Sequence, residues 1–518
     1  MEELNKMNSE INGVDSEENM VKKQNIFLLI GSVVLAIIFN ILFYDKGLGI
    51  SYPIFVLAFY GVIIFVLRDK IVFKANFGML LTVPIIMLSF TYLFFSNEIF
   101  MFFNFLIIPV LILMQTLLIT NNNVYKWFDA RFIIDLLNAM FIRTLSYVFK
   151  PFILISKIIK SKTGARKVSV VSKVVIGLLL SVPLSAIVIS LLSEADDVFG
   201  HWVKGITDMF INLNMEDFIA QLIIGLIVGT VIFSYLWSLY NDNNKQPDTN
   251  IKEDIQIKKV WDPIVVLTML MSVNLIYVIF TVIQFTYLFG SVSSLLPEGV
   301  TYAEYARRGF FELIVATLIN VSTLTGIINF TKKENVIVAK ILKILNSLLV
   351  ACTMVMLLSA HFRMSLYEEA YGYTYLRVFT HAFMIFIFAI LTTTLIKVWK
   401  ESFSLLKSYM VIGIIAYVAI NYFNADVFIV NNNIKRFNNP QINAIDTQYL
   451  SCLSDDAVPY LVELLESSDT NVSEDIRYFL FIRKERLEEK NDWQSFNISH
   501  YRAKKILDGY NLKKTGTN

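Results

Sequence analysis

The chain has 518 residues, of which 56% are hydrophobic and 17% are charged, and its formal net charge is +2. Soluble domains carry roughly 25% charged residues, so this composition indicates a membrane protein that crosses the lipid bilayer many times. A net charge near zero gives no support for nucleic-acid binding, and the bilayer is the expected partner. The two cysteines, Cys352 and Cys452, form no recognisable disulfide framework.

Residues 1–25 are polar and are predicted to form a cytoplasmic N-terminus. The apolar run after them is long and has no small-residue cleavage site, so we interpret it as a transmembrane helix and not as a signal peptide. Apolar blocks of about 20 residues, each long enough to cross a bilayer, then recur along the chain. They predict eleven transmembrane helices, at residues 26–44, 49–67, 77–95, 99–120, 174–192, 218–240, 263–289, 310–330, 338–360, 378–399 and 409–423.

The predicted fold is therefore all-α, a polytopic transmembrane helical bundle. Four of its helices lie in residues 26–120 and seven in residues 174–423. Lysine and arginine are concentrated in alternate loops, and the loops richer in them are expected on the cytoplasmic side. Because the predicted number of spans is odd, residues 424–518 are expected outside the cell membrane.

Residues 121–173 are too many for a simple turn. Residues 124–149 mix aromatic and aliphatic side chains with Lys126, Arg131 and Arg143, a pattern that predicts a helix lying in the cytoplasmic interface. A basic strip follows. It is explained either by the ordinary positive-inside bias or by a site for anionic lipid or a regulatory partner. Its members are Lys157, Lys160, Lys162, Arg166 and Lys167.

The tail, residues 424–518, has many charges and no further span. Ser454 precedes a run in which Val458, Leu461 and Leu465 recur at helical spacing, as expected behind an N-terminal cap. Amphipathic runs also begin at Ser473 and at Trp493. The tail is therefore predicted to be a small extracytoplasmic helical domain, and it contains no catalytic motif.

Residues 302–313 place charges where a polar loop becomes an apolar span. Arg308 lies four residues after Glu304 and four before Glu312, so on a helix the three charges share one stripe. A carboxylate one turn inside hydrocarbon costs about 3 kcal/mol unless it is paired. We therefore expect a partner for Glu312.

The predicted orientation brings three outer loops to the same depth and defines a candidate polar cluster. Either it is a network of salt bridges and tyrosines that fixes the order of the helices, or it is an outward-facing cavity whose arginines bind an anionic group such as a lipid phosphate. Its members are Asp196, Asp197, Tyr305, Arg307, Arg308, Glu312, Arg363, Tyr367, Glu368, Glu369, Tyr371, Arg377 and His381.

Metal and cofactor sites are not expected. The four histidines, at positions 201, 361, 381 and 500, all fall on the predicted outer side, but none of their spacings is typical of zinc ligands. The sequence contains no Gly-rich phosphate loop, no nucleophile-elbow serine and no His-Glu-x-x-His motif.

The acidic run from Glu194 to Phe199 and four further stretches resemble a bacterial multi-pass membrane family known as domain of unknown function 4173, which is related to 4153. The four further stretches are the run from Tyr305 to Leu313, the run from Leu366 to Gly372 with Arg377, the run from Asp455 to Leu461, and the run from Asp492 to Ser499 with Arg502. The resemblance implies a bacterial plasma-membrane protein and assigns no activity. Ala425 follows Asn424 where many members have proline, so this junction is expected to bend differently.

These observations favour a non-enzymatic role in transport, sensing or scaffolding through an outward-facing polar site. The alternative is a membrane-embedded enzyme acting on a lipid-linked anionic substrate, with Glu312, Asp196 or Glu369 as general acid or base. A third interpretation is a structural partner of another membrane protein, with the tail as its docking module.

Overall fold

The computed structural model describes residues 2–71, 76–163, parts of 177–203, 215–241, 259–289, 310–332, 336–439, 445–489 and 492–512. Within these ranges the fold is all-α and contains no strand. Apolar blocks adopt helices because, in a bilayer, each backbone N–H and C=O must be paired within its own segment.

The N-terminal half begins with five helices: α1 (Glu2–Phe43), α2 (Ser51–Leu67), α3 (Phe77–Leu80), α4 (Thr82–Phe94) and α5 (Glu98–Ile119). A broken helical stretch follows, formed by α6 (Phe132–Leu137), a π-helical turn (Asn138–Arg143), α7 (Thr144–Ser146) and α8 (Lys150–Thr163). The long helices then continue as α9 (Met215–Asn241), α10 (Pro263–Phe289), α11 (Phe310–Phe330), α12 (Val336–Tyr371), α13 (Tyr375–Trp399) and α14 (Leu405–Tyr422).

Ten helical segments of the described residues are long and apolar enough to cross a membrane. Nine of them coincide with predicted spans, and the predicted span at 49–67 corresponds to the shorter apolar helix α2. The predicted span at 174–192 lies mostly outside the described residues. The tenth segment, Phe132–Ser156, covers part of the stretch that the sequence predicts to lie in the interface.

Two side chains hold this broken stretch beside the end of α5. The Asp135 carboxylate accepts hydrogen bonds from the backbone N–H groups of Val124 and Tyr125 at 2.9 and 2.8 Å. Arg143 donates to the backbone carbonyl of Asn122 at 3.2 Å. The π-helical turn continues α6 into α7, and the turn at residues 147–149 then separates α7 from α8. The placement of this stretch in the interface stays a prediction.

The long helices form two packed groups joined by α14. Helices α1, α2, α5 and α9 share a core that includes Phe233 and Leu236, while α10 to α13 share another that includes Leu349 and Leu357. Helix α14 packs against α13 and α4. It is also joined to α5, because Tyr417 donates to the Asn104 side chain at 2.7 Å.

The tail folds as a helical unit whose core also includes Val378, near the start of α13. Its helices are α15 (Ala425–Phe437), α16 (Thr447–Ser451), α17 (Val458–Leu461), α18 (Thr470–Glu489) and α19 (Ile498–Leu507), with 3₁₀ turns at Asp455–Ala457, Val462–Glu466 and Trp493–Ser495. The core includes Ile429, Val458, Ile476 and Ala503. We call the end of the bundle on which the tail lies the tail-bearing end.

The tail rests on the connections between α1 and α2 and between α4 and α5. Asn497 donates to the backbone carbonyls of Tyr92 and Phe95 at 2.8 and 2.7 Å. The backbone N–H of Ile50 donates to the carbonyl of Phe496 at 2.9 Å. The approach is so close at Gly49 that a Cβ there would lie 2.5 Å from the Ser495 backbone. The first helices therefore provide a platform for the tail, in addition to its contacts with the turn between α12 and α13.

The junction between α14 and α15 is a sharp bend at Asn424. This residue has φ = 48°, in the left-handed region, and its side chain accepts a hydrogen bond from the backbone N–H of Val427. Asparagine tolerates this conformation better than most residues and caps helix N-termini well. The bend therefore depends on Asn424 itself.

Candidate functional site

Helices α12 and α13 form an antiparallel hairpin at the tail-bearing end. The sequence predicts that α12 ends near Ala360 and that a loop follows, but the helix continues to Tyr371. The extension is stabilised by its buried face, which carries Met364 and Glu368 at i, i+4 spacing. His361 lies seven residues before Glu368, so both side chains are on the same face of α12.

Glu368 and two histidines form a line of hydrogen bonds across this hairpin. The Oε2 atom of Glu368 lies 3.0 Å from Nε2 of His381, and Nδ1 of His381 lies 2.7 Å from Nδ1 of His361. In the contact between the two rings, one nitrogen must carry the proton and the other must accept it. The three side chains can therefore pass a change of protonation from one end of the line to the other.

The second oxygen of Glu368 is the unusual atom of this site. Glu368 is only 4% exposed, and its Oε1 atom is buried without a hydrogen-bond partner among the described residues. A buried acceptor without a donor costs about 1–3 kcal/mol. A donor on a bound molecule would remove that cost.

The Glu368–His381–His361 line lies at the polar end of a groove between α12, α13 and α14, with a volume of about 730 Å³. Alanines on facing helices make room for the groove, and isoleucines and phenylalanines form most of its remaining wall. The apolar lining comprises Val378, Ala382, Ile385, Phe386, Ala389, Ile412, Ile415, Ala416, Ala419, Ile420, Phe423 and Phe428. Ile385 and Ile415 are each more than 60% exposed, so the groove is open along the side of the bundle.

Tyr373 adds a hydroxyl group to the polar end. Burial raises the pKa of its phenol, and the charges of Glu368 and Glu369 raise it further. The phenol therefore keeps its proton at neutral pH and can donate a hydrogen bond. Its backbone is fixed by Asn433 of α15, which bonds both the N–H and the carbonyl of Tyr373, at 2.9 and 2.8 Å.

Two arginines stabilise the turn beside the groove. Arg377 stacks on the Tyr367 ring at 4.4 Å and donates to the carbonyls of Tyr371 and Gly372. Arg436 donates to the carbonyls of Glu369 and Ala370 at 2.8 and 2.9 Å. These carbonyls belong to the end of α12, where basic groups interact favourably with the helix dipole.

Arg363 is held at a different place on α12. It donates to Oε1 of Gln284 at 3.2 Å, and Ser359 donates to the same oxygen at 2.5 Å. Gln284 is 3% exposed, so this contact joins α10 to α12 inside the bundle.

The other predicted members do not join this site within the described residues. Asp196, Asp197 and Glu312 are exposed, as are Glu369 and Tyr371. Asp196 accepts a hydrogen bond from the backbone N–H of Phe199, three residues later in the same stretch. Tyr305, Arg307 and Arg308 lie outside the described residues, and so do Arg166, Lys167 and the side chains of Lys157, Lys160 and Lys162. Their proposed roles stay predictions.

His361 also belongs to the site, although the predicted polar cluster includes only Glu368 and His381 of these three residues. The available signal was the spacing of His361, Ser365 and Glu368, which places three polar side chains on one helical face over two turns. All three line the groove. Within the part of the chain that the structure describes, no three His, Cys, Asp or Glu side chains are arranged to hold a metal ion.

The fold and this groove define an all-α integral membrane protein of the multi-pass class. The family model described as Domain of unknown function (DUF4153) matches residues 82–464, so the chain belongs to that family. The matched range includes the groove and the first part of the tail. No curated protein and no solved structure matches the chain.

Proposed function

We propose that the groove binds a membrane amphiphile and that the protein senses or carries this molecule without altering it chemically. The alkyl chain lies between α13 and α14, and the polar head reaches Glu368. The observation that carries this proposal is that Glu368, which lines the polar end of an apolar groove, has a buried Oε1 atom without a hydrogen-bond partner among the described residues. Ligand sites commonly combine such apolar walls with a few convergent polar groups.

The polar end favours a head group that donates hydrogen bonds, such as a hydroxyl or an amine. Glu368 offers an acceptor, and a carboxylate head would place like charge beside it. The arginines near this end are engaged elsewhere, because Arg377 and Arg436 both bond backbone carbonyls. A neutral or cationic amphiphile therefore fits this groove better than the anionic group that the sequence suggests.

Filling the groove should prevent binding. Ala416 lies on its α14 wall, so Ala416→Phe places a ring where the alkyl chain would lie. The probe is a hexadecanol that carries a diazirine in mid-chain. After irradiation in nanodiscs, wild-type protein should be labelled on α13 and α14, and Ala416→Phe should reduce the labelling about tenfold.

Ala351→Phe is the matched control, because Ala351 is an exposed alanine of α12 outside the groove. It should be labelled like the wild type. Equal labelling of all three proteins on these peptides would contradict the proposal.

An enzyme is the second candidate, and the Glu368–His381–His361 line is the observation that favours it. A histidine oriented by a carboxylate is a common general acid or base. Under the leading proposal the bound amphiphile is recovered unchanged. Its conversion to a new product by wild type, with no conversion by His361→Gln, would support the enzyme instead.

We further propose that the protein lies in a bacterial plasma membrane with the tail outside, and that it is related to domain of unknown function 4173. The basic loops support this orientation.

Cys452 of the tail is exposed and Cys352 is buried, so an impermeant maleimide should label intact cells at Cys452. Cys452→Ser should abolish the labelling. Labelling of Cys452 only after lysis would place the tail on the cytoplasmic side.

A further inference from the structure

A second, polar cavity of about 570 Å³ lies between α15 and the rest of the tail. Phe423 and Phe428 line both this cavity and the groove, and their rings lie 5.2 Å apart. The two spaces are therefore neighbours with a shared aromatic wall. Their linings differ, because the second cavity has amides, carboxylates and cations where the groove has alanine and isoleucine.

The carboxylates of this cavity already have partners. Asp455 is bonded by His500, Arg483 and Arg486. Asp456 accepts from the backbone N–H and the hydroxyl of Ser96, at 2.8 and 3.0 Å. Neither carboxylate needs a cation from a ligand.

The cations of the cavity are in the opposite situation. Lys435 and Arg502 both line it and are exposed, and neither has a hydrogen bond or ion pair with any described residue. The Asn431 amide lines the same space and is likewise without a hydrogen bond in the described ranges. Two positive charges and a free amide can thus be directed at one bound molecule.

We propose that this cavity binds a phosphate ester carried on a hydroxyl-bearing body. Lys435 and Arg502 bind the phosphate, since charge-assisted hydrogen bonds to phosphate are strong and arginine presents two parallel donors. Asn431 and Tyr460, which also line the cavity, bond the hydroxyl groups. This site is independent of the amphiphile groove. It takes an anionic ligand, whereas the groove favours a neutral or cationic one.

The same chemistry is offered by a free polyol phosphate and by the head group of a phospholipid. The test uses the full chain in phosphatidylcholine nanodiscs, titrated calorimetrically with glycerol 3-phosphate and, separately, with glycerol. A second arm uses phosphatidylglycerol nanodiscs and counts retained phosphatidylglycerol by native mass spectrometry. Calorimetric binding of glycerol 3-phosphate but not glycerol indicates a free ligand, whereas retention of the lipid alone indicates a head group.

Arg502→Gln and Lys435→Gln should each weaken whichever binding is seen about tenfold, as expected for the loss of a hydrogen bond to a charged group. Both side chains are exposed, so the fold is retained. Lys505→Gln, an exposed cation of the same helix outside the cavity, should bind like wild type. Absence of binding in both arms, or equal binding by Arg502→Gln and wild type, would overturn the proposal.

Discussion

Asp455→Asn is expected to lower the free energy of unfolding of the tail by about 3 kcal/mol, because removal of one partner from a buried ionic network leaves the others uncompensated. The Asp455 side chain is 1% exposed and lies 2.6 Å from Nδ1 of His500 and 3.0 Å from Nη2 of Arg486. Arg483, which is 12% exposed, would keep its charge in the interior without this carboxylate. Pulse proteolysis of the full chain in micelles, with increasing urea, measures the loss.

Asp508→Asn is the matched control. Asp508 pairs with Lys484 at 3.7 Å but is 54% exposed, and exposed pairs contribute at most about 1 kcal/mol. Its midpoint of cleavage should therefore stay close to that of the wild type. A loss no larger for Asp455→Asn than for Asp508→Asn would show that the network does not stabilise the tail.

The Asp455→Asn variant should also change how the stability of the tail depends on pH. Burial alone would raise the pKa of Asp455, but the hydrogen bond from His500 and the charge of Arg483 hold that pKa below its ordinary value of 3.8. The stability that Asp455 contributes is therefore present above pH 3.8 and is lost as the pH falls through the folded-state pKa. Burial raises the pKa of Asp456 and acts in the opposite direction. Asp455→Asn should remove the loss of stability that Asp455 causes at low pH and should leave the contribution of Asp456 in place.

Glu368→Gln is expected to reduce photolabelling by the diazirine alcohol about tenfold. A carboxyl group can present acceptors to His381 and to a ligand at once, whereas an amide presents one acceptor and one donor. One of the two partners then meets an N–H group, and the lost hydrogen bond is worth roughly 1.5–3 kcal/mol. A diazirine fatty acid of equal length should label the wild type less than the alcohol does, and the variant should lose this preference.

Glu369→Gln is the control for this variant. Glu369 is the next residue of α12, but its side chain is exposed and does not line the groove. The Glu369→Gln variant should be photolabelled like the wild type and should keep the preference for the alcohol over the fatty acid. If Glu368→Gln and Glu369→Gln behave alike, the buried carboxyl group does not recognise the head of the ligand.

The helical bundle could be predicted from the sequence because each span satisfies its own backbone and is apolar over its length. The end of α12 could not be predicted in the same way. The residues after Ala360 are too polar to be identified as a span, and they are helical because one face packs against the bundle. Glu368 and His381 lie on different helices and are brought together by the turn at Gly372, where φ is +87°.

The contacts between the tail and the first helices could not be predicted from the sequence either. Residues 44–50 and 95–97 have no motif of their own, and their role arises from backbone groups that bond Asn497 and Phe496. The spacing of residues along a chain does not reveal such contacts between distant segments. The charged cluster could be predicted only in part, because sequence placed Glu368 and His381 near one another but gave no sign of the apolar groove beside them.

The most direct measurement is a cryo-electron microscopy structure of the protein in nanodiscs formed from its own membrane lipids. We expect elongated density along Ala389 and Ala416 whose polar end lies within hydrogen-bond distance of Glu368 Oε1. An empty groove, or one occupied by a helix of another subunit with Glu368 bonded to it, would contradict the assignment of this groove to an amphiphile.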